Sequence, residues 1–447
     1  MSEQVAREAS RRPSQRLLVI GAGIAGIQVS LDVASAGYEV VLVERLPSIG
    51  GRMAQLSETF PTLDCAQCIL TPKTVETGQH SNIRLLVCSE VVSVEGEAGH
   101  FAAQVVRHPT YVNNTLCTGC GLCQEKCPTT VYSDFQRGLG ARKAIYTLSP
   151  QAVPNKPVID RDHCRFFQSG KCRVCERVCP TGAINFDQQP QYVREEVGAI
   201  VLATGLDLYP LENLNEYGAG HIPDVIDSLA FERMLSASGP THGQVRRPSD
   251  GNVPNEVVFI QCAGSRDPEL HKSYCSKICC MYTAKQAALY THRVPGGQAY
   301  VFYIDIRSAG KRYEEFVQRT VTEEQVIYLR GKVGKVFREG AKVVVQGTDT
   351  LAGRTVEVAA DLVVIAPALV PARGNTRLAA LLGVPVDSDG FFVETNGYRT
   401  PLETVRPGVF LAGVATGPKD IAETAAHASG AAGKVLSLFA GWRQDQR

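Results

Sequence analysis

Eight cysteines fall between Cys117 and Pro180, in two sets of four. Cys117, Cys120, Cys123 and Cys127, with Pro128 after the last, follow Cys-x2-Cys-x2-Cys-x3-Cys-Pro at every position, a run whose thiolates hold cubane iron–sulfur clusters. Cys164, Cys172, Cys175 and Cys179, followed by Pro180, keep the later spacings but place seven residues in the first gap instead of two. Three crowded thiolates wrap one corner of a cluster through tight turns, hence Gly119 and Gly121, while the fourth crosses to the other cluster. One [4Fe-4S] is therefore expected on Cys117, Cys120, Cys123 and Cys179, and a second on Cys164, Cys172, Cys175 and Cys127. Zinc knuckles are the competing chemistry for four-cysteine sites, but three crowded cysteines and a Cys-Pro end in each half favour the cubane.

A third group lies far downstream. Cys262, Cys275, Cys279 and Cys280 fall within 19 positions of a polar loop, where a glycine-rich phosphate turn would be expected after the strand at 256–260. They read as ligands of a third, atypical cluster. Adjacent cysteines can serve one centre because they fan out over the start of a helix, whose positive end favours the cluster's negative charge. Buried structural thiols are the alternative, since free cysteine packs as a small hydrophobe. Cys65 and Cys68 could form a redox dithiol, but two packed thiols are the preferred expectation. Cys88 is expected in the core, and the nine histidines show no ligand spacing.

The elements that must position these groups begin with a strand at 16–20, a turn carrying Gly21, Gly23 and Gly26, a helix to about 36 and a strand at 38–44. The glycines allow a tight turn, close approach to a pyrophosphate and close helix packing, with Ile24 and Ala25 opening the helix that faces the phosphates. Glu44, beside Arg45, ends the second strand where a ribose hydroxyl would be held. Gly51, Arg52 and Met53 follow, Ala203, Thr204 and Gly205 close a strand near 199–202, and Gly413 precedes a late helix. This scatter of signatures resembles the two-dinucleotide-binding-domain flavoproteins, the class of thioredoxin reductase, and so implies FAD. An acidic residue usually follows the late glycine in that class; here it is Val414, so that contact is expected to be absent or replaced by Lys419 or Asp420, with Ile421 also expected at the cofactor.

The expected organisation is a disordered tail at 1–15, FAD-domain parts at 16–109, 191–249 and 368–447, an inserted ferredoxin-like α+β domain at 110–190, and a second Rossmann-like domain at 250–367. The fold class is thus α/β. With 46 basic and 45 acidic residues the formal charge is +1, which calls for neither nucleic acid nor an anionic membrane. The longest apolar stretches are too short for a membrane span, and 15 cysteines at ligand spacings fit a reducing compartment, pointing to the cytoplasm.

Residues 62–73 (TLDCAQCILTPK), 261–267 (QCAGSRD), 274–282 (YCSKICCMY) and 417–421 (GPKDI) carry a closer likeness. With them, about residues 15–435 resemble the A-type subunit of heterodisulfide reductase, the flavin-carrying iron–sulfur component of cytoplasmic electron-transfer complexes. The resemblance implies a thioredoxin-reductase-like FAD domain, a two-cluster insert, a cluster on the Cys262, Cys275, Cys279 and Cys280 pattern, and Lys285 beside the flavin's reactive nitrogen, where it tunes the potential. It also implies partners: other heterodisulfide-reductase-like subunits, an electron donor or acceptor such as a ferredoxin, a hydrogenase or a dehydrogenase subunit, or a second copy of the chain. The expected function is FAD- and iron–sulfur-based electron transfer, with flavin bifurcation known in the family. A self-sufficient NAD(P)H:ferredoxin oxidoreductase and a scaffold with structural clusters are the alternatives.

Overall fold

The computed structural model describes residues 12–444. Residues 1–11 of the expected tail lie outside the described residues, whereas Ser14 donates its N–H to Gly99 O at 2.8 Å and Gln15 reaches Phe439 O at 3.1 Å.

Two five-stranded parallel sheets form the frame. In the first, the order is Val409–Leu411, Ala199–Leu202, Leu17–Ile20, Val40–Val43 and Ile83–Leu86. Its central strands are apolar at every position and fully buried, as a parallel sheet covered on both faces requires. The second sheet runs Val225–Asp227, Leu362–Pro367, Glu256–Ala263, Gln298–Tyr303 and Ile327–Arg330. The strand Val225–Asp227 and the helix Ser228–Leu235 after it, assigned above to the flavin part 191–249, thus build the second sheet. Three residues are too few to show a strand's alternation in sequence.

Each parallel sheet carries a three-stranded antiparallel sheet, one from Ser89–Glu95, Phe101–Arg107 and Gln191–Val197, the other from Val333–Glu339, Lys342–Asp349 and Arg354–Ala360. The chain leaves the first unit through Leu206–Leu208 and returns through Leu369–Pro371, and these two segments pair antiparallel. The last helix, Ile421–Gln444, packs on Ile24–Ser35 through Ala428, Ala431, Ala432 and Val435. Those small side chains let the two axes approach closely.

The cysteine-rich segment hangs from a hairpin, since Arg107 pairs with Gln191. Its core is small: Tyr111, Val112, Ile145, Ile159, Ile184 and Phe186 pack with the thiols of Cys123, Cys164 and Cys175. Its helices, Leu122–Lys126, Arg165–Ser169 and Val174–Val178, have five residues each. So little apolar material seldom holds a domain without a metal or another staple. One loop, residues 133–140, is docked on both parallel-sheet units. Phe135 O accepts from Gln55 Nε2 at 2.9 Å, Gln136 Oε1 accepts from Arg233 Nε at 2.9 Å, and Arg137 pairs with Asp227 at 2.6 Å.

Candidate functional site

A cavity of about 720 Å³ lies where the two sheets and the inserted segment meet. Of the sequence-predicted dinucleotide residues, Gly21, Gly23, Ile24, Ala25, Glu44, Arg45, Gly51, Arg52, Met53, Ala203, Thr204, Gly205, Val414, Lys419, Asp420 and Ile421 line it. Gly26 and Gly413 do not, and their surroundings show why they are glycine. A Cβ on Gly26 would stand 1.8 Å from Gly21 O, and one on Gly413 would stand 2.7 Å from Ala25 Cβ. Both seat the helix Ile24–Ser35 against the turns that form the cavity floor.

Buried polar groups point to a ligand of matching chemistry. Glu44 accepts from Ala22 N at 2.8 Å and Leu46 N at 2.9 Å, yet burial raises its carboxyl above the ordinary range against those bonds. Thr204 Oγ1 and Gln286 Oε1 are buried without a partner among the described residues, an arrangement that costs about 1–3 kcal/mol per group when nothing satisfies it. A glycine-rich floor with a carboxylate at its end and unpaired hydrogen-bonding groups on its walls fits a dinucleotide. Asp420 is partly committed elsewhere. One oxygen accepts from Tyr313 OH at 2.7 Å and the other accepts from Glu423 N at 2.7 Å at the start of the last helix. Lys419, whose ammonium burial pulls down, donates to Thr416 Oγ1 at 2.7 Å.

Lys285 reaches the same cavity from the helix Cys279–Arg293 and is 1 % exposed, so it is no solvated surface lysine. Its ammonium stands 2.6 Å from Glu232 Oε1 and 2.7 Å from Glu58 O. Glu232, 2 % exposed, also accepts from Gln286 Nε2 at 2.6 Å, Ser57 N at 3.0 Å and Ser57 Oγ at 2.8 Å. Burial alone would raise its carboxyl, but the Lys285 charge and these donors outweigh it and hold the group below the ordinary range. Glu232 and Gln286 carry no local mark that would single them out from sequence. The only signal is an adjacent Glu232–Arg233 pair amid apolar neighbours in Ser228–Leu235.

The first thiol set surrounds a second, small cavity lined by Cys117, Cys120, Cys123 and the crossing Cys179. Burial, followed by the charges of Cys164, Cys127 and Cys123 nearby, pushes Cys175 up to about 12. Cys179 thus lies with the first three thiols and Cys127 lies near Cys175. Among the described residues no three His, Cys, Asp or Glu side chains converge as a site for a single metal ion.

In the third group, Cys262 sits at φ 58° where the strand Glu256–Ala263 loses register after Ile260. That bulge turns its thiol toward Cys279, which in turn contacts Cys280. Cys279 and Cys280 open the helix Cys279–Arg293, whose first turn has no side-chain cap. Cys275 Sγ instead accepts from Lys277 N at 3.3 Å, but its loop is fastened beside Cys262 by Ser265 Oγ and Ser276 Oγ, 2.7 Å apart. Tyr282 and Lys285 follow on the same helix and line the large cavity. Lys285 lies six positions after Cys279, roughly 9 Å of helix rise.

Cys65 and Cys68 depart from expectation. Both are exposed and neither lines the cavity. Cys65 Sγ accepts from Cys68 N at 3.2 Å and so caps the helix Ala66–Gln79, a capping role that holds the pair at the surface. Cys88 is half-buried, its thiol pushed up to about 11 by burial and then by Glu44.

Residues 19–78 match the model of an NAD(P)-binding Rossmann-like domain and residues 110–132 that of a 4Fe-4S binding domain. Over 422 residues the chain is 44% identical to the A-type subunit of the H(2):CoB-CoM heterodisulfide,ferredoxin reductase of Methanothermobacter thermautotrophicus, covering 94% of this chain and 63% of that one. It is 47% identical to the A-type iron-sulfur subunit of the CoB--CoM heterodisulfide reductase of Methanocaldococcus jannaschii over 420 residues, with the same two coverages. Over 94% of its length the chain is thus similar to A-type subunits of heterodisulfide reductases. It spans less than two thirds of the length of these relatives.

The fold is thioredoxin-reductase-like. Thioredoxin reductase from T. acidophilum superposes with a TM-score of 0.52 at 15% identity, covering 96% of this chain and 99% of that one. The enzyme from Lactococcus lactis gives 0.53 at 14% identity, with 95% and 99% covered. No helix among the described residues is long and apolar enough to cross a membrane.

Proposed function

We propose that this chain is an FAD- and iron–sulfur-containing oxidoreductase subunit that moves electrons between a flavin in the large cavity and three [4Fe-4S] clusters. The observation that carries the proposal is the shared cavity. Its floor is the glycine scaffold, one wall is the cysteine-rich insert, and another is the helix that begins with Cys279 and Cys280 and presents Lys285. When bound, FAD supplies two-electron exchange and the clusters supply one-electron transfer.

The protein's own groups have separable roles. Gly21, Gly23 and Gly51 admit the pyrophosphate and Glu44 holds a ribose hydroxyl, while Thr204 and Gln286 offer unspent hydrogen-bonding capacity. Lys285 places a buried cation in the pocket, and Glu232 balances and aims it. Cys117, Cys120, Cys123 and Cys179 hold one cluster, and Cys164, Cys172, Cys175 and Cys127 the next. Cys262, Cys275, Cys279 and Cys280 hold the third. The partners would be further subunits of a heterodisulfide-reductase-like complex and a one-electron carrier, as the names of the relatives suggest, with the chain working in the cytoplasm, singly or as a homodimer.

Purified without oxygen, the chain should contain one FAD and about 12 iron atoms, four per cubane. C279A should lower the iron by about four and leave the FAD in place. An iron content near eight in the unmodified chain removes the third cluster. Rapid flavin bleaching by NADH alone would favour the self-sufficient reductase instead.

A further inference from the structure

The lengthened gap between Cys164 and Cys172 is folded, and its construction separates apolar from charged residues. The helix Arg165–Ser169 fills it. Phe166 stacks on Phe186 with centroids 4.0 Å apart, and Phe167 packs edge-on against both at 5.4 and 5.8 Å. Arg161 lies 5.4 Å over Phe167, and Arg173 lies 5.4 Å over Phe166 and 5.6 Å over Phe186. The aromatic residues thus anchor the loop to the insert's core and the cations are left outside.

Residues 161–177 contain Arg161, Arg165, Lys171, Arg173 and Arg177 against Asp162 and Glu176. Arg173 is neutralised by Glu176 at 2.6 Å. Arg161, Arg165, Lys171 and Arg177 are exposed and form no ion pair among the described residues. The equivalent stretch of the first motif, residues 113–127, has only Glu125 and Lys126, which pair with each other at 2.7 Å. Beside the first set a cation from further along the chain, Lys156, is half-buried and donates to Cys117 O, so in a chain of formal charge +1 the exposed unpaired cations gather beside the second set.

We propose that this face is the docking surface for a small acidic one-electron carrier protein, which exchanges electrons with the cluster on Cys127, Cys164, Cys172 and Cys175. The inference rests on the reading of those cysteines as cluster ligands. Charge complementarity selects the partner: unpaired cations around a shallow rim steer an acidic surface and permit fast release, as a transient encounter requires. In each encounter one electron passes, the carrier's reduced cluster being oxidised by one as the protein's cluster is reduced by one, with no bond made or broken.

The test mixes the full chain, purified without oxygen, with a reduced acidic bacterial two-cluster ferredoxin in a stopped-flow instrument. The second-order rate should fall about tenfold or more between low and high salt, and by a similar factor at low salt in R165E/K171E/R177E, while reduction by methyl viologen radical is not slowed. The milder R165Q/K171Q/R177Q, checked for full iron content, should lie between the two. A charge-reversed chain that retains its iron and reacts as fast as the unmodified one overturns the proposal. Titration calorimetry of the same ferredoxin reads docking apart from electron flow. If the unmodified chain lacks the second cluster but still binds the carrier through these cations, the cluster assignment fails and the surface stands. If the clusters are present and salt-independent binding is found, the reverse holds.

Discussion

Replacing Glu232 by Gln isolates the most heavily committed charge in the cavity wall. Both members of the Glu232–Lys285 pair are almost fully buried and 2.6 Å apart, so E232Q leaves a buried ammonium without a counter-charge, facing only neutral oxygens, and turns an amide N–H₂ toward existing donors. Breaking one side of a buried pair costs about 3–5 kcal/mol. With an unfolding entropy of about 2.1 cal/mol/K per residue over 447 residues, 3 kcal/mol lowers a concerted transition by about 3 °C; melting of the second unit alone would show a larger fall. K285M should cost a similar amount by stranding the carboxylate. E232Q/K285M should cost less than the two singles together by about 2 kcal/mol, because removing both charges leaves neither uncompensated. Differential scanning calorimetry of the four proteins measures this cycle. The folded carboxyl lies below its ordinary 4.5, so the stability it contributes is complete above that pH and is lost as pH falls through the lower folded value. The gap between the unmodified chain and E232Q should close only in acid. Single costs that add to within about 0.5 kcal/mol would refute the coupling.

G26A should lose FAD and about 3 kcal/mol of stability, since its methyl would meet Gly21 O at 1.8 Å and overpacking of this kind costs about 1–3 kcal/mol or more; full flavin absorbance per chain would contradict it. His427 Nδ1 accepts from Gly413 N at 2.9 Å, and burial, then Lys419, pulls the imidazole down to about 4. Stability should therefore fall as pH drops from 6.5 toward 4, where the unfolded chain takes a proton that the folded chain refuses, and H427Q should flatten that slope; an unchanged pH profile of the melting temperature would rule this out.

The parts legible in sequence are those whose chemistry imposes local spacing. Gly21 and Gly26 stand out because a Cβ there would stand 2.3 Å from Ala203 O and 1.8 Å from Gly21 O, whereas a Cβ on Gly23 would meet nothing closer than 3.9 Å, so that glycine answers to the ligand's approach and not to packing. Cys179 and Cys127 can be assigned across motifs because tight turns occupy the first three thiols of each set. Glu232 is invisible at that level because its partners Ser57 and Lys285 are 175 and 53 residues away in the chain, and burial of a charge is a property of tertiary packing. Val225–Asp227 falls to the wrong unit because three residues carry no period. Cys65 and Cys68 differ from the packed pair expected because a helix cap and a buried thiol pair can share one spacing; only the fold exposes them.

The loop at 133–140 makes the inserted module a keystone. With Phe135 fastened to one half of the molecule and Arg137 and Gln136 to the other, neither half can swivel without unseating it. A swing of one half against the other would first have to break these contacts, so the loop that joins the insert to both sides also sets the width of the large cavity between them.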